Sequence, residues 1–156
     1  MRSSREELLT AFKDWAPRLL RLLERAEVIY KYGLFDRDPM TKWTAGRVSL
    51  LGDAAHPMLP FLSQGAAMAL EDAYVFARSL DENHSDTDAA LSSYEARRIA
   101  RTTQVLIGSR KRGKTNHLTS KYGRFRRDVG QFFRGLWNPN KAGLQAHWIY
   151  EHDVTK

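Results

Sequence analysis

Apolar residues recur at helical spacing near the start of the chain, at Leu8, Leu9, Phe12 and Trp15. Ser4 with Glu7 three residues later fits a capping box ahead of them, and Ser3 with Glu6 is the alternative pair. Pro17 suits the first turn of a second helix whose apolar side is Leu19, Leu20, Leu22 and Leu23. Phe12 and Trp15 could form a ligand wall; ordinary packing is the plainer reading. Glu27 to Asp36 alternates imperfectly and predicts a strand, closed by the turn chemistry of Asp36-Arg37-Asp38-Pro39. Val48 to Leu51 is brief and apolar, as in a strand covered on both faces of a parallel sheet. Trp43 ahead of it reads as packing against the sheet edge. From Gln64 to about Leu80 the period is helical, with a small-residue face (Ala66, Ala69, Leu70, Ala73, Ala77, Leu80) suited to lie against a sheet or cofactor. A polar loop, Asp81 to Asp86, follows, with Asp86 or Thr87 as the cap of a helix carrying Leu91, Tyr94, Glu95, Arg98 and Arg101. Gly108, Gly113, Gly123 and Gly130 read as breaks in later helical pieces, and Leu136 to Lys141 as a turn.

One stretch carries chemistry. Gly52 permits a sharp turn after the Val48–Leu51 strand. Asp53 then stands at the carboxyl end of that strand, where open α/β sheets bind ligands. Pro57 and Pro60 stiffen the following loop. A helix opening at Gln64-Gly65 presents unpaired N–H groups and a positive dipole end. A carboxylate for a sugar hydroxyl beside a helix start for an electron-rich ring is a nucleotide-cofactor arrangement.

Composition changes the picture little, and charge more. The 156 residues are enough for one ordinary domain, 42% hydrophobic and without cysteine. Disulfide and thiolate chemistry are thereby excluded, and a cytoplasmic setting is expected. No apolar run has the length of a membrane span and the N-terminus lacks a signal-peptide core, so no membrane partner is expected. The net charge is +7, and from Arg97 to Arg134 twelve Lys or Arg face Asp128 alone. This stretch would serve an acidic partner or a solvated face; nucleic acid is the less favoured reading because no recognised nucleic-acid module accompanies it.

The run Gly52-Asp53-Ala54-Ala55-His56, then Pro60, Gln64-Gly65-Ala66 and Glu71-Asp72-Ala73, resembles the second FAD motif of the aromatic-ring flavoprotein monooxygenases. These are the group A hydroxylases of the salicylate and 6-hydroxynicotinate type. Ser63 stands where many members have Gly, and Ala67 where many have Asn. The segments Leu34 to Pro39, Tyr94-Glu95-x-x-Arg98-x-x-Arg101 and Trp148 to Val154 also resemble the family, so the likeness covers residues 28 to 154. It implies an FAD/NAD(P)-binding Rossmann-like α/β fold, of which this chain would form a mainly α-helical part with one or two short strands. Residues 1–46 would be the end of the substrate-domain region with its return strand. Residues 47–156 would be the C-terminal part of the FAD domain with the C-terminal helices.

By the same resemblance, Asp53 would accept a hydrogen bond from the ribityl chain, and the N–H groups of Gly65 and Ala66 would face the flavin N1 and O2 edge. Gly52, Pro60 and Gln64 would complete the cofactor contact. His56 could orient the loop, touch flavin or approach substrate, with a structural hydrogen bond the plainer role. Glu71 and Asp72 would brace the loop. His147, Glu151 and His152 do not share one helix face, and no metal is assigned. The implied reaction is NAD(P)H-dependent hydroxylation of an aromatic substrate with dioxygen.

The family's Gly-x-Gly-x-x-Gly and Asp-Gly motifs do not occur here. The expectation is therefore a truncated C-terminal portion, holding FAD weakly or not at all and inactive alone. Its exposed sheet-facing surface would leave self-association open. A remnant or interaction module without FAD, and a basic nucleic-acid binder, are the alternative readings.

Overall fold

A computed structural model describes residues 1–137 and 147–155. It divides into two compact units, Met1–Leu34 and Phe35–Lys156.

The first unit holds α1 (Arg5–Ala11) and α2 (Pro17–Leu23). Ser4 caps α1 by accepting the Glu7 N–H at 3.1 Å. Glu7 does not complete the box; its carboxylate takes the Ser3 hydroxyl at 2.6 Å and the Lys31 ammonium instead. Pro17 occupies the first turn of α2 as expected. Phe12 and Trp15 meet edge to face, with ring centroids 5.2 Å apart. The strand expected over Glu27–Asp36 is reduced to a single antiparallel bridge between Tyr30 and Arg2. Its one partner is the N-terminal tripeptide, through Ser3 N–H to Ile29 and Lys31 N–H to Met1, both at 2.9 Å. With only one short neighbour, Val28, Tyr30, Tyr32 and Leu34 stay exposed.

The second unit is built on two helices, α3 (Gly65–Glu82) and α4 (Thr87–Asn116). Among the described residues the chain is mainly helical with two short strands, β1 (Thr44–Ala45) and β2 (Val48–Ser49). The buried parallel strand expected at Val48–Leu51 is not formed. β2 pairs antiparallel with β1, in register Thr44 to Ser49 and Ala45 to Val48. The two-residue loop Gly46-Arg47 closes the hairpin, with Gly46 at φ +55° as a II′-type turn requires at its first central position. Val48 is 67% exposed. The backbone groups of Leu50, just after β2, are still paired: its N–H donates to the Trp43 carbonyl at 3.1 Å, and its carbonyl accepts the Tyr94 hydroxyl at 3.1 Å.

The core gathers Trp43, Ala55, Val75 and Tyr94, flanked by Met40, Leu50, Phe76, Ile99 and Val154. Tyr94 meets Phe76 edge to face and Trp43 at a tilt, at centroid distances of 5.3 and 5.8 Å. Burial, and then the charge of Asp72, push its phenol well above the ordinary value.

Two further expectations need correction. The small-residue face of α3 is turned outward, with Leu70 74% exposed; the buried stripe is Met68, Asp72, Val75 and Ser79. The glycines at 108 and 113 do not break α4, nor those at 123 and 130 α5 (Lys121–Trp137). Asp86 caps α4 through the Ala89 N–H at 3.0 Å. The Trp148 tail begins with α6 (His147–Tyr150). Asn138 to Lys141 of the expected turn, and the His147 side chain, lie outside the described residues. No helix among those described is long and apolar enough to cross a membrane.

Candidate flavin-binding loop

Residues 52–65 form a loop whose shape is set from both sides. Gly52 takes φ +60° and opens a short 3-10 turn, Gly52–Ala54. A β-carbon there would meet that of Ala69 at 3.3 Å, so glycine serves both conformation and packing. A second 3-10 turn, Pro60–Leu62, begins at Pro60 and ends on Ser63. Ser63 lies in the left-handed region, φ +54°, the sole non-glycine there among the described residues. The backbone at Ser63 thus adopts the conformation that glycine favours, and the serine, where many members of the resembling family have glycine, carries its strain.

The loop then delivers the start of α3. Gln64 is the residue before the helix and gives no side-chain cap; its buried amide turns back to the Leu62 carbonyl at 3.3 Å. The first helical bond runs from Met68 N–H to the Gln64 carbonyl at 2.9 Å, so the N–H groups of Gly65, Ala66 and Ala67 precede the ladder. The exposed Asp53 carboxylate is brought to this helix start. Its Oδ1 lies 3.8 Å from where a β-carbon on Gly65 would be. Asp53, Gly65 and the exposed Ala66 thus come together. Gly52 and Gln64 are buried beneath them, and Pro60 is exposed further along the loop.

Beneath the loop lies a charged network. Asp72 is fully buried and accepts three donors: Gly52 N–H at 3.0 Å, His56 Nε2 at 2.6 Å and Arg98 Nε at 2.7 Å. Burial pushes its carboxyl up, but the His56, Arg98 and Gly52 bonds outweigh this and hold it below the ordinary carboxylate range. Arg98, 1% exposed, also donates to Glu71 at 2.7 Å and to the Met68 carbonyl at 3.4 Å. Glu71 receives Arg101 as well, at 3.2 Å. Asp72 thus holds the loop directly through Gly52 and His56, whereas Glu71 meets Arg98 and Arg101 and does not touch the loop itself. His56 is 3% exposed and covered by the Trp43 ring at 5.4 Å; its Nδ1 has no hydrogen-bond partner among the described residues. Its ring is thus held in the interior between Asp72 and Trp43.

Several residues support the loop in ways the sequence did not assign to them, and Ser109, Arg110 and Phe61 were not singled out at all. Arg37 donates to the Ala54 carbonyl at 2.7 Å, and Arg110 holds Asp36 and Asp38, so the Asp-Arg-Asp segment is tied to both the motif and α4. Ser109 donates to the Leu59 carbonyl at 2.5 Å. Gly113 receives the Phe61 ring, whose edge would lie 2.4 Å from an added β-carbon. Arg101 donates to the Ile149 carbonyl at 2.9 Å and sits over the Trp148 ring at 5.7 Å, fastening the tail. Glu95 accepts the N–H groups of Trp43 and Thr44 at 2.8 and 2.6 Å, which, against burial, bring its carboxyl below the ordinary range. The clearest signal of this scaffolding was the pair Arg98 and Arg101, three apart on a helix and opposite the adjacent Glu71 and Asp72.

An exposed carboxylate beside an uncapped helix start fits a hydroxylated chain leading to an electron-rich ring. Comparison with known proteins decides which. Residues 35–109 match the family described as "FAD binding domain". A 3-hydroxybenzoate 6-hydroxylase from Polaromonas naphthalenivorans is 32% identical over 154 residues, covering 97% of this chain and 37% of the relative. The chain belongs to the group A flavoprotein hydroxylases. Another of these hydroxylases, a 6-hydroxynicotinate 3-monooxygenase from Pseudomonas fluorescens, is 43% identical over 109 residues, covering 67% of this chain and 28% of the relative. Among solved hydroxylase structures, a salicylate hydroxylase substrate complex superposes with a TM-score of 0.75 at 28% identity, over 99% of this chain and 36% of that one. Klebsiella pneumoniae HpxO complexed with FAD and uric acid gives 0.70 at 31% identity, over 78% of this chain and 32% of that one. The chain spans 28% to 37% of the length of these two curated hydroxylases.

Proposed function

We propose that this chain supplies the ribityl- and flavin-facing edge of an FAD-dependent monooxygenase that hydroxylates an aromatic ring at the expense of NAD(P)H and dioxygen. The observation that carries the reading is the Asp53 carboxylate held beside Gly65 at the uncapped start of α3. Asp53 accepts a hydroxyl proton donor of the ribityl chain, a charge-assisted bond. The Gly65 and Ala66 N–H groups point to the ring edge that gains negative charge on reduction, and fixed dipoles there stabilise that charge without reorganising. Pro60 stiffens the loop beside the ring. When bound, FAD supplies the redox and oxygen chemistry; the protein orients and shields it. His56 acts through Asp72 as a structural hydrogen-bonder and is not assigned an acid–base step.

The family's pyrophosphate-binding glycines do not occur in this sequence. The isolated chain is accordingly expected to bind FAD weakly and to show no turnover. Titration of the purified chain with FAD, followed by quenching of flavin fluorescence, tests the site. Asp53→Asn is expected to weaken binding about tenfold, the loss of a charge-assisted bond worth roughly 1.5 kcal/mol. Equal affinity in the two proteins would remove Asp53 from the cofactor, and a purified chain carrying stoichiometric flavin would show that the missing grip is not needed.

A further inference from the structure

The cofactor reading leaves one large surface unused. Successive residues of an α-helix step by about 100°. On that projection Phe132, Phe125, Leu136, Tyr122 and Phe133 of α5 fall in a single arc roughly 100° wide. These five side chains are 56% to 70% exposed, and Trp137 at the helix end is 91% exposed. Arg124 and Arg127 project on the opposite side, and Lys121 falls at the edge of the arc beside Phe132. Arg126 stands at the margin with its guanidinium 5.9 Å over the Tyr122 ring. An exposed apolar face of this extent marks a contact.

We propose that α5 docks this aromatic face on an anionic lipid bilayer, lying flat in the interface. Charge complementarity selects the partner: α5 carries five Lys or Arg, counting Arg134, against Asp128 alone. Its order of residues is that of an interfacial helix, with Phe, Leu and Trp on one side and cations on the other. Seventeen residues make a helix about 25 Å long. With this charge it cannot span a bilayer, but its apolar face can sit at the headgroup boundary while the flanking cations meet lipid phosphates. A second copy of the chain is the poorer occupant, since it would set two cationic helices side by side in a protein already at +7. The expectation of no membrane partner rested on the absence of a span, and a surface helix needs none. The basic stretch from Arg97 is also divided by the fold: Arg98, Arg101 and Arg110 are bound to carboxylates of the same unit, whereas Lys121, Arg124 and Arg126 of α5 are exposed, as are Lys111 and Lys114 of α4.

Co-sedimentation of the full chain with vesicles tests this. It is expected to pellet with phosphatidylcholine vesicles containing phosphatidylglycerol and not with phosphatidylcholine alone. Binding should fall at 1 M salt, where the screening length shrinks from about 10 to about 3 Å. Phe125→Glu with Phe132→Glu should lower partitioning at least about tenfold. Phe125→Leu with Phe132→Leu should keep it; both positions are exposed, and unchanged circular dichroism confirms that the variants fold. The proposal is overturned by no sedimentation with either vesicle, by equal sedimentation with neutral vesicles, or by binding that the glutamates leave intact. It is equally overturned if the chain ignores vesicles and either forms a dimer that the glutamates split or binds RNA in a salt-dependent way.

Discussion

Replacing Asp72 by Asn keeps the size of the side chain and removes half of what its neighbours need. The carboxylate accepts Gly52 N–H and His56 through Oδ2 and Arg98 through Oδ1. An amide has one acceptor oxygen and one donor nitrogen. With its oxygen toward Gly52 and His56, the NH2 group confronts Arg98 Nε–H at a site 2.7 Å away. Flipped, it confronts the Gly52 N–H, which cannot change its proton. Either way two donors face each other in a site closed to solvent. Losing a charge-assisted bond costs about 1.5–3 kcal/mol and a stranded donor about 1–3 more. Arg98 keeps Glu71 and the Met68 carbonyl, which offsets part of this. The expected destabilisation is about 3 kcal/mol, at the lower edge of what breaking a buried ion pair costs. For a chain of this length that is a melting temperature lower by roughly 6–12 °C. Urea unfolding followed by circular dichroism measures it, with Glu82→Gln as control. Glu82 also meets two arginines, Arg78 and Arg97, but at an exposed site, and should leave the midpoint in place. A loss in Asp72→Asn below about 1 kcal/mol would mean that the network does not depend on this carboxylate, and the account of the loop would fail.

The remaining predictions address the same loop. Asp72 and Glu95 both have carboxyls held below their ordinary values in the folded state. Their contribution is therefore complete above the unfolded carboxylate range and is lost as pH falls through and below about 4. Urea midpoints from pH 7 to pH 3 should drop on the acid side, and Asp72→Asn should flatten that limb. Ser63→Gly removes left-handed strain of about 1–2 kcal/mol and adds unfolded-state freedom of about 0.4–1. The variant is expected to melt slightly higher, and a lower melting point would show that the serine side chain contributes a contact of its own. Gly113→Ala gains about 1 kcal/mol of helix propensity but drives a methyl into the Phe61 ring, an overpacking cost of about 1–3. Net destabilisation is expected, and it should be relieved by Phe61→Leu in the double mutant.

What could be read from the residues divides along a physical line. Local chemistry was legible. Ser4, Pro17 and Asp86 cap or start helices through atoms within one turn, and Gly52 and the Gly65 helix start are where the motif placed them. Long-range pairing was not. Val48–Leu51 has the composition of a buried strand, yet the described residues offer it no parallel neighbour, and the turn at Gly46 folds Val48–Ser49 back on Thr44–Ala45. The buried stripe of α3 was not read because it includes the polar Asp72 and Ser79, and it is Arg98 from α4 that pairs Asp72 in the interior. Gly113 reads as a helix breaker until Phe61 is seen to occupy the space a side chain would take.

Consider α4 as a gauge. Its 30 residues run about 45 Å, and along it Glu95, Arg98, Arg101, Ser109, Arg110 and Gly113 each hold a different piece of the chain. Those pieces include the hairpin, the Asp72 network, the tail, the Leu59 loop, the Asp36 segment and the Phe61 ring. Because the helix is continuous, the angular phase between these attachments is fixed by residue count alone. One residue inserted between Arg101 and Ser109 would turn every later attachment by about 100° relative to every earlier one. Seven would restore the phase to within about 20° but shift it some 10 Å along the axis. This segment should therefore accept many substitutions on its outer face and almost no change of length.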